Sequence, residues 1–302
     1  MPSYAQDVKN ELAHRSEDDE GCLRAEFVAL IKVGSKIING RLEFSGANAA
    51  VARRVIKLAK KFLPSTTPMI AAVSRKKRLK YPLYVVKFIM VGEVQNFFNT
   101  LDLSEVVKRT RYKIAFLRGA FMARGTVSRP ETHYFLTMVL GNEKMAKFIR
   151  KLMINLEFGG GIYEVKKKFV IWLRNADSVA DFLGMVGANN ALERLEVVRN
   201  LKEVRIQVNR LVNMETAGLN KAIAAANRQL VDIKFLMKYN VSVNKRLQEA
   251  MTLRLENPCA TLSELADKIP MTQQGLCYRF KAIHRLVEKT QRILARNNRR
   301  AL

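Results

Sequence analysis

Cysteine is scarce in this 302-residue chain: Cys22, Cys259 and Cys277 are the whole set. An odd number without a C-x-x-C spacing argues against a disulfide frame or a zinc site and fits thiols kept reduced in a cytosol. Long apolar runs are missing as well. None approaches the roughly 18 residues that span a bilayer, and Met1 to Glu20 is acidic and polar where a secretory signal is basic and then apolar, so a cytoplasmic protein without a membrane partner is expected. Catalytic spacing is absent around His14, His133 and His284, which have no Ser or acid placed for a triad and are assigned surface or packing roles. Gly159-Gly160-Gly161 lacks a following Lys-Ser or Lys-Thr and precedes a strand, so it is a turn into a hairpin and not a phosphate cradle. Trp172 and the methionines sit within strand or helix periodicity and are assigned to the core. No cofactor is expected.

Acidic residues are the last scarcity. Asp plus Glu number 27 against 53 Lys plus Arg, a formal net charge of +26. That is the balance of a polyanion binder, with nucleic acid first and an anionic membrane or acidic protein as other takers of such a face. What is present in quantity is apolar: 48% of residues are hydrophobic, enough for packed cores in about two domains.

An internal repeat occupies the first two thirds. Cys22 to Gly40 opens with an apolar, Ala- and Gly-containing helix, and Ala115 to Val127 reads the same way, with Gly119, Ala120, Ala123 and Gly125 allowing close helix approach. After the first come strands Lys36 to Ile38 and Arg41 to Phe44 across Asn39-Gly40, the dipeptide suited to a type I′ turn. After the second come Thr126 to Ser128 and His133 to Val139. Each copy then has an amphipathic helix opened by Asn, with Val51, Val55, Leu58 and Phe62 in one and Met145, Ile149, Leu152 and Leu156 in the other, at an identical helical spacing. A second hairpin follows: Met69 to Val73 with Leu83 to Phe88, and Ile162 to Val165 with Phe169 to Leu173. Closing helices are expected near Gly92 to Leu101 and Asp177 to Met185. Helix, two strands, helix, two strands, helix is thus written twice, about 90 residues apart, which predicts one pseudo-symmetric α+β domain. The competing reading is a coincidental alternation of helices and strands.

This order and its paired helices resemble the LAGLIDADG homing-endonuclease fold over most of residues 20 to 188. The motif falls on Phe27 to Ser35, FVALIKVGS, and Leu117 to Gly125, LRGAFMARG. The resemblance implies a saddle of strands for a DNA groove and, in the nucleases, one metal-binding acid at the eighth position of each motif. Those positions here are Gly34, which offers no ligand, and Arg124, which repels a cation. Glu26 is the nearest acid, on a part of the helix away from that junction. Metal-dependent cutting is therefore not expected. Phosphate-contact candidates in such a saddle are Arg75, Lys76, Lys77, Arg78 and Lys80 in one hairpin turn and Lys166, Lys167 and Lys168 in the other. They read equally as solvated tips that guard sheet edges, and the saddle equally as a surface for docking another protein.

Residues 189 to 239 are almost free of Gly and Pro and predict a helical linker, although the asparagines of Asn209 to Gln229, NRLVNMETAGLNKAIAAANRQ, suggest caps, a break or geometry-setting polar contacts. From 240 onward the chain predicts an all-α domain. Val243 to Glu256 is a helix stopped by Asn257-Pro258. Thr261-Leu262-Ser263-Glu264 is a capping box opening a short helix through Ile269. Thr272 caps a longer helix whose apolar face is Leu276, Phe280, Ile283 and Val287. Short helix, tight turn and long helix make a helix-turn-helix, the alternative being a generic three-helix bundle. Thr272, Gln273, Gln274, Tyr278, Arg279, Lys281 and Arg285 are its candidate DNA contacts, since Gln pairs with adenine and Arg with guanine. Lys289, Arg292, Arg296, Arg299 and Arg300 extend the basic character into the tail.

The two halves joined by NRLVNMETAGLNK resemble the WhiA family of bacterial transcription regulators nearly end to end, from SYAQDVKNELA to Leu286. GAFMARGTVSRPETHYFL and GANNALERLE are further family-like phrases. Met214, where a small or thiol side chain is expected, and Gly218, in place of Asn, depart from it. The resemblance implies an N-terminal helix over 1–19, a catalytically degenerate endonuclease-like domain over 20–188, a linker over 189–239 and a DNA-reading helix-turn-helix over 240–302. It further implies a nucleoid-associated regulator of Gram-positive bacteria, tied to sporulation, cell division or chromosome segregation, with double-stranded DNA as partner and another regulatory protein or RNA polymerase as a second. A segregation factor with little sequence preference, and a homing endonuclease or RNA maturase, are the other functional readings.

Overall fold

Side-chain caps start most of the helices. In the computed structural model, which describes residues 3–75, 82–89, 92, 95, 97 and 101–300 without the side chains of 297–300, Asn48 accepts from the Val51 amide and Asn142 from the Met145 amide. Each satisfies one orphan donor of an amphipathic helix at the same place in its repeat. The first copy runs through α1 (Tyr4–His14), α2 (Glu20–Gly34), β1 (Ser35–Ile38), β2 (Arg41–Gly46), α3 (Ala49–Phe62), β3 (Met69–Ser74) and β4 (Leu83–Ile89). A short α4 (Leu103–Val106) leads into the second: α5 (Thr110–Arg124), β5 (Gly125–Val127), β6 (Phe135–Leu140), α6 (Glu143–Asn155), β7 (Gly161–Val165), β8 (Lys168–Arg174) and α7 (Ala176–Val186). The first copy's closing helix falls almost wholly outside the described residues.

Each copy folds its strands into an antiparallel sheet with the same order, β1-β2-β4-β3 and β5-β6-β8-β7. Asn39 and Gly40 turn the first hairpin with φ of 49° and 70°, as a type I′ turn requires. In the second sheet the matching device is a lysine pair, Lys166 and Lys167, at φ 50° and 62°. Lys168 is therefore not in the turn: it is paired with Val165 as the first residue of β8. Strand alternation buries Leu42, Phe44, Val86 and Phe88 in one sheet and Leu136, Met138, Ile171 and Leu173 in the other. Trp172, between the last two, is on the opposite face, half-buried, with the Arg174 guanidinium 4.9 Å from its ring centroid. The period-two rule, applied to its neighbours, removes it from the core.

Between the two copies α2 packs on α5 through small residues. A Cβ on Gly119 would stand 2.4 Å from the Glu26 carbonyl oxygen and 2.9 Å from the Ala29 Cβ, so only glycine permits this approach. Glu26 itself is fully buried here, bonded to Arg54 Nε at 2.7 Å and Arg118 Nη1 at 3.2 Å. The remaining helix, α8 (Asn189–Lys238), opens under a clamp from α1. Tyr4 donates to the Ala191 carbonyl at 2.6 Å, and the Glu11 carboxylate accepts from the Asn190 and Ala191 amides at 2.8 and 3.1 Å.

The chain divides into two compact units, Met1–Glu203 and Val204–Leu302, with the boundary inside α8. Asn209, Asn213, Asn220 and Asn227 are exposed on that continuous helix. They neither cap nor break it, because the preference of Asn for turns is a fraction of a kcal/mol per residue against uninterrupted helical neighbours. The second unit gathers Ile233 and Leu236 from the end of α8 with residues of α9 (Lys245–Glu256), α10 (Leu262–Ala266) and α11 (Gln273–Arg300). The α9 helix starts at Lys245 under an Asn244 cap, later than Val243. The expected capping box opens α10, yet the helix ends at Ala266 and Asp267 to Ile269 form tighter turns. Arg254, 1% exposed, fills the middle of this core, bonding Gln229 Oε1 at 2.9 Å and the carbonyls of Asn257 and Ala260, with Phe280 stacked 5.5 Å away.

Candidate nucleic-acid interface

In the second unit the Thr272 hydroxyl accepts from the Gly275 amide at 3.1 Å, which starts α11 at Gln273. Leu276, Phe280, Ile283 and Val287 are buried against the core. The helix is thereby oriented with Thr272, Gln273, Gln274, Tyr278, Lys281 and Arg285 exposed, Tyr278 at 62%. Gln274, Tyr278, Lys281 and Arg285 recur at helical spacing and form one stripe. The Lys281 ammonium lies 5.7 Å from the Tyr278 ring centroid, so charge and aromatic surface are presented together. Arg279 has a different place. Its Nη1 donates to the Arg246 carbonyl at 2.9 Å and to Glu249 at 3.1 Å, and its side chain is 19% exposed. It ties α11 to α9, a contact 30 residues away in sequence that helix periodicity alone does not show.

A groove of about 560 Å³ runs beside that stripe, lined by Arg228, Asp232, Lys281, His284 and Arg285 among others. The His284 imidazole stands 2.8 Å from Asp232 and 3.7 Å from Glu288, so this histidine has a place beside two surface carboxylates.

In the first unit Arg75 is exposed just beyond β3; Lys76, Lys77, Arg78 and Lys80 lie outside the described residues. Lys166 and Lys167 are exposed at the β7–β8 turn, and Lys168 is exposed on β8. The two sheets differ on the face turned from the helices. Beside Lys36, the first carries a Glu43–Lys87 ion pair at 2.9 Å. The second carries Phe135, Trp172 and Tyr163, with Arg174 over Phe135 and Trp172 at 5.2 and 4.9 Å.

Gly34 and Arg124, the positions where the sequence resemblance implies metal-binding acids in the nucleases, stand at the ends of α2 and α5. Arg124 donates to the Gly34 carbonyl at 3.0 Å and the Val33 carbonyl at 3.4 Å, so a guanidinium caps the negative end of α2. The nearest acid of the helix pair, Glu26, is consumed by Arg54 and Arg118. Among the described residues no group of three His, Cys, Asp or Glu could hold a metal ion. The residues present do not fit one. Among the described residues no helix is long and apolar enough to cross a membrane.

Residues 113–205 match the family model for the WhiA LAGLIDADG-like domain, and residues 208–287 the model for the WhiA C-terminal HTH domain. The chain is similar to the probable cell division protein WhiA of Alkaliphilus metalliredigens, 33% identical over 313 residues covering 95% of this chain and 98% of the relative. The protein of the same description from Desulforamulus reducens is 35% identical over 310 residues, covering 95% and 96%. Among solved structures, full-length DUF199/WhiA from Thermatoga maritima superposes with a TM-score of 0.63 at 22% identity, covering 95% of this chain and 99% of that one. The N-terminal LAGLIDADG domain of DUF199/WhiA gives 0.54 at 19% identity, covering 62% and 91%. At such identities the two structures speak for the fold.

Proposed function

This chain belongs to the WhiA family, and from that premise we propose that it is a non-catalytic, DNA-binding transcription regulator acting in cell division, sporulation or chromosome segregation. The observation that carries the reading is the exposed stripe Gln274, Tyr278, Lys281 and Arg285 on α11, behind the Thr272 cap and beside Gln273. Gln offers the paired donor and acceptor that adenine presents in the major groove, while Lys281 and Arg285 neutralise phosphate. Arg279 acts as a positioning residue in this reading, because its bonds to the Arg246 carbonyl and Glu249 tie α11 to α9. The exposed basic tips at Arg75, Lys166 and Lys167 add a sequence-independent contribution. The protein acts on the nucleoid in the cytoplasm, with duplex DNA as first partner and a second regulator or RNA polymerase as another. The cell-division link follows the description its relatives carry.

Selection of bound sites from random duplexes by the full chain tests this. A motif is expected; recovery without one would favour the segregation factor with little sequence preference. On a selected site Gln274→Ala is expected to cost about 1–3 kcal/mol and on random DNA much less. Lys281→Ala weakens both alike and lowers the salt slope by about one. Equal losses for Gln274→Ala on selected and random DNA would refute direct base reading by this stripe.

A further inference from the structure

The cleft at the carboxyl ends of α2 and α5 has a volume of about 540 Å³ and a one-sided charge. Lys32, Lys36, Arg124 and Lys168 line it, and among the described residues no acidic side chain does. The acid next to Lys36 across the sheet, Glu43, is bonded to Lys87 at 2.9 Å. Polar groups complete the wall. Asn142, also in the lining, caps α6, so the positive end of that helix opens at the cleft. The Ser35 hydroxyl oxygen is buried in the same wall with no hydrogen-bond partner among the described residues. A buried hydroxyl without a partner is destabilising, and an acceptor that reaches it relieves this.

Arg124 also acts on a neighbouring cation. Burial, and then the charge of Arg124, push the Lys9 ammonium on α1 down to about 8.

We propose that this cleft is an oxyanion site that takes a phosphate group and holds it with Arg124, Lys36, Lys168 and the Ser35 hydroxyl. Arg124 is anchored by Val33 and Gly34 through Nε and Nη2, which leaves Nη1 for the ligand. Lys36 from β1 and Lys168 from β8 approach from the two sheets, so one phosphate group bridges both repeats. Two sources share this chemistry, the backbone of a nucleic acid crossing the sheet faces and a free polyphosphate or nucleotide.

Isothermal titration of the full chain with tripolyphosphate, in a phosphate-free buffer at low salt, tests the site. One saturable site is expected, weakened about tenfold or more in Lys36→Glu/Lys168→Glu, since charge-assisted hydrogen bonds to the phosphate are replaced by repulsion. Both lysines are exposed and unpaired among the described residues, so the variant folds, which its circular dichroism checks. Lys60→Glu/Lys61→Glu on α3 makes the same change of charge away from the cleft and is expected to bind as wild type. Absence of a saturable site, or an equal loss in both double variants, overturns the proposal. Competition with a random-sequence duplex separates the sources: displacement of tripolyphosphate identifies backbone phosphate as the ligand, and retention identifies a free phosphate compound. A Gln274→Ala chain keeps the site in either case, so its fate is separate from that of the helix-turn-helix.

Discussion

At the scale of single residues, the first unit is organised around one buried charge. Glu26 is wholly enclosed between Arg54 and Arg118, themselves about 5% and 3% exposed. Arg118 also donates to the Val186 carbonyl at 2.8 Å and Arg54 to that of Arg15 at 3.0 Å, so the two arginines that meet on this carboxylate tie in two further segments. Replacing the carboxylate by an amide strands the Arg54 guanidinium in low dielectric and leaves Arg118 with Glu17, 3.4 Å away, as its carboxylate partner. Glu26→Gln is expected to cost about 3–5 kcal/mol in denaturant unfolding of the first unit. A loss under about 1 kcal/mol would show that water, and not Glu26, solvates those arginines. Lys9 works the other way. Its ammonium is held near 8, below its ordinary value, so its neutralisation makes the fold more stable as pH rises from about 8 toward the unfolded value of 10.5.

Elements pack here by the size of what stands between them, and two glycines in helices show opposite consequences. Gly119 is pressed against the Glu26 carbonyl and Ala29, whereas a Cβ on Gly218 would meet nothing within 4 Å. Gly119→Ala is expected to destabilise by about 1–3 kcal/mol, because backbone cannot move aside as a flexible side chain does. Gly218→Ala in the exposed middle of α8 is expected to stabilise by about 0.5–1 kcal/mol through lost freedom of the unfolded chain. Thermal melts of the two variants check both signs, and a stabilising Gly119→Ala would contradict the close approach of α2 and α5. At this scale the sequence was legible wherever the cause is local. Asn48, Asn142, Thr261 and Thr272 cap helices a few residues onward, and Asn39-Gly40 turns its own hairpin. Lys168 was misplaced by one position because a two-residue turn of lysines carries no glycine to mark its limits.

For the whole molecule, two cores within one chain predict two unfolding transitions. The first core spans α1 to the start of α8 and the second combines the end of α8 with α9, α10 and α11. Calorimetry of the full chain is expected to resolve two components, with Glu26→Gln lowering one and leaving the other in place. A single cooperative peak that shifts entirely would show that α8 couples the units into one.

Periodicity and capping signals made the α+β repeat and the helix-turn-helix legible in the sequence, and charge balance pointed to a polyanion as the class of partner. These follow from interactions among residues close in the chain or from totals that do not depend on arrangement. Tertiary structure alone decided that Arg279 faces Glu249, that Arg254 lies in a core, that Trp172 leaves one, and that Arg124 caps α2. Each of those depends on a partner brought near only by folding, and a buried or paired charge looks in sequence no different from a solvated one.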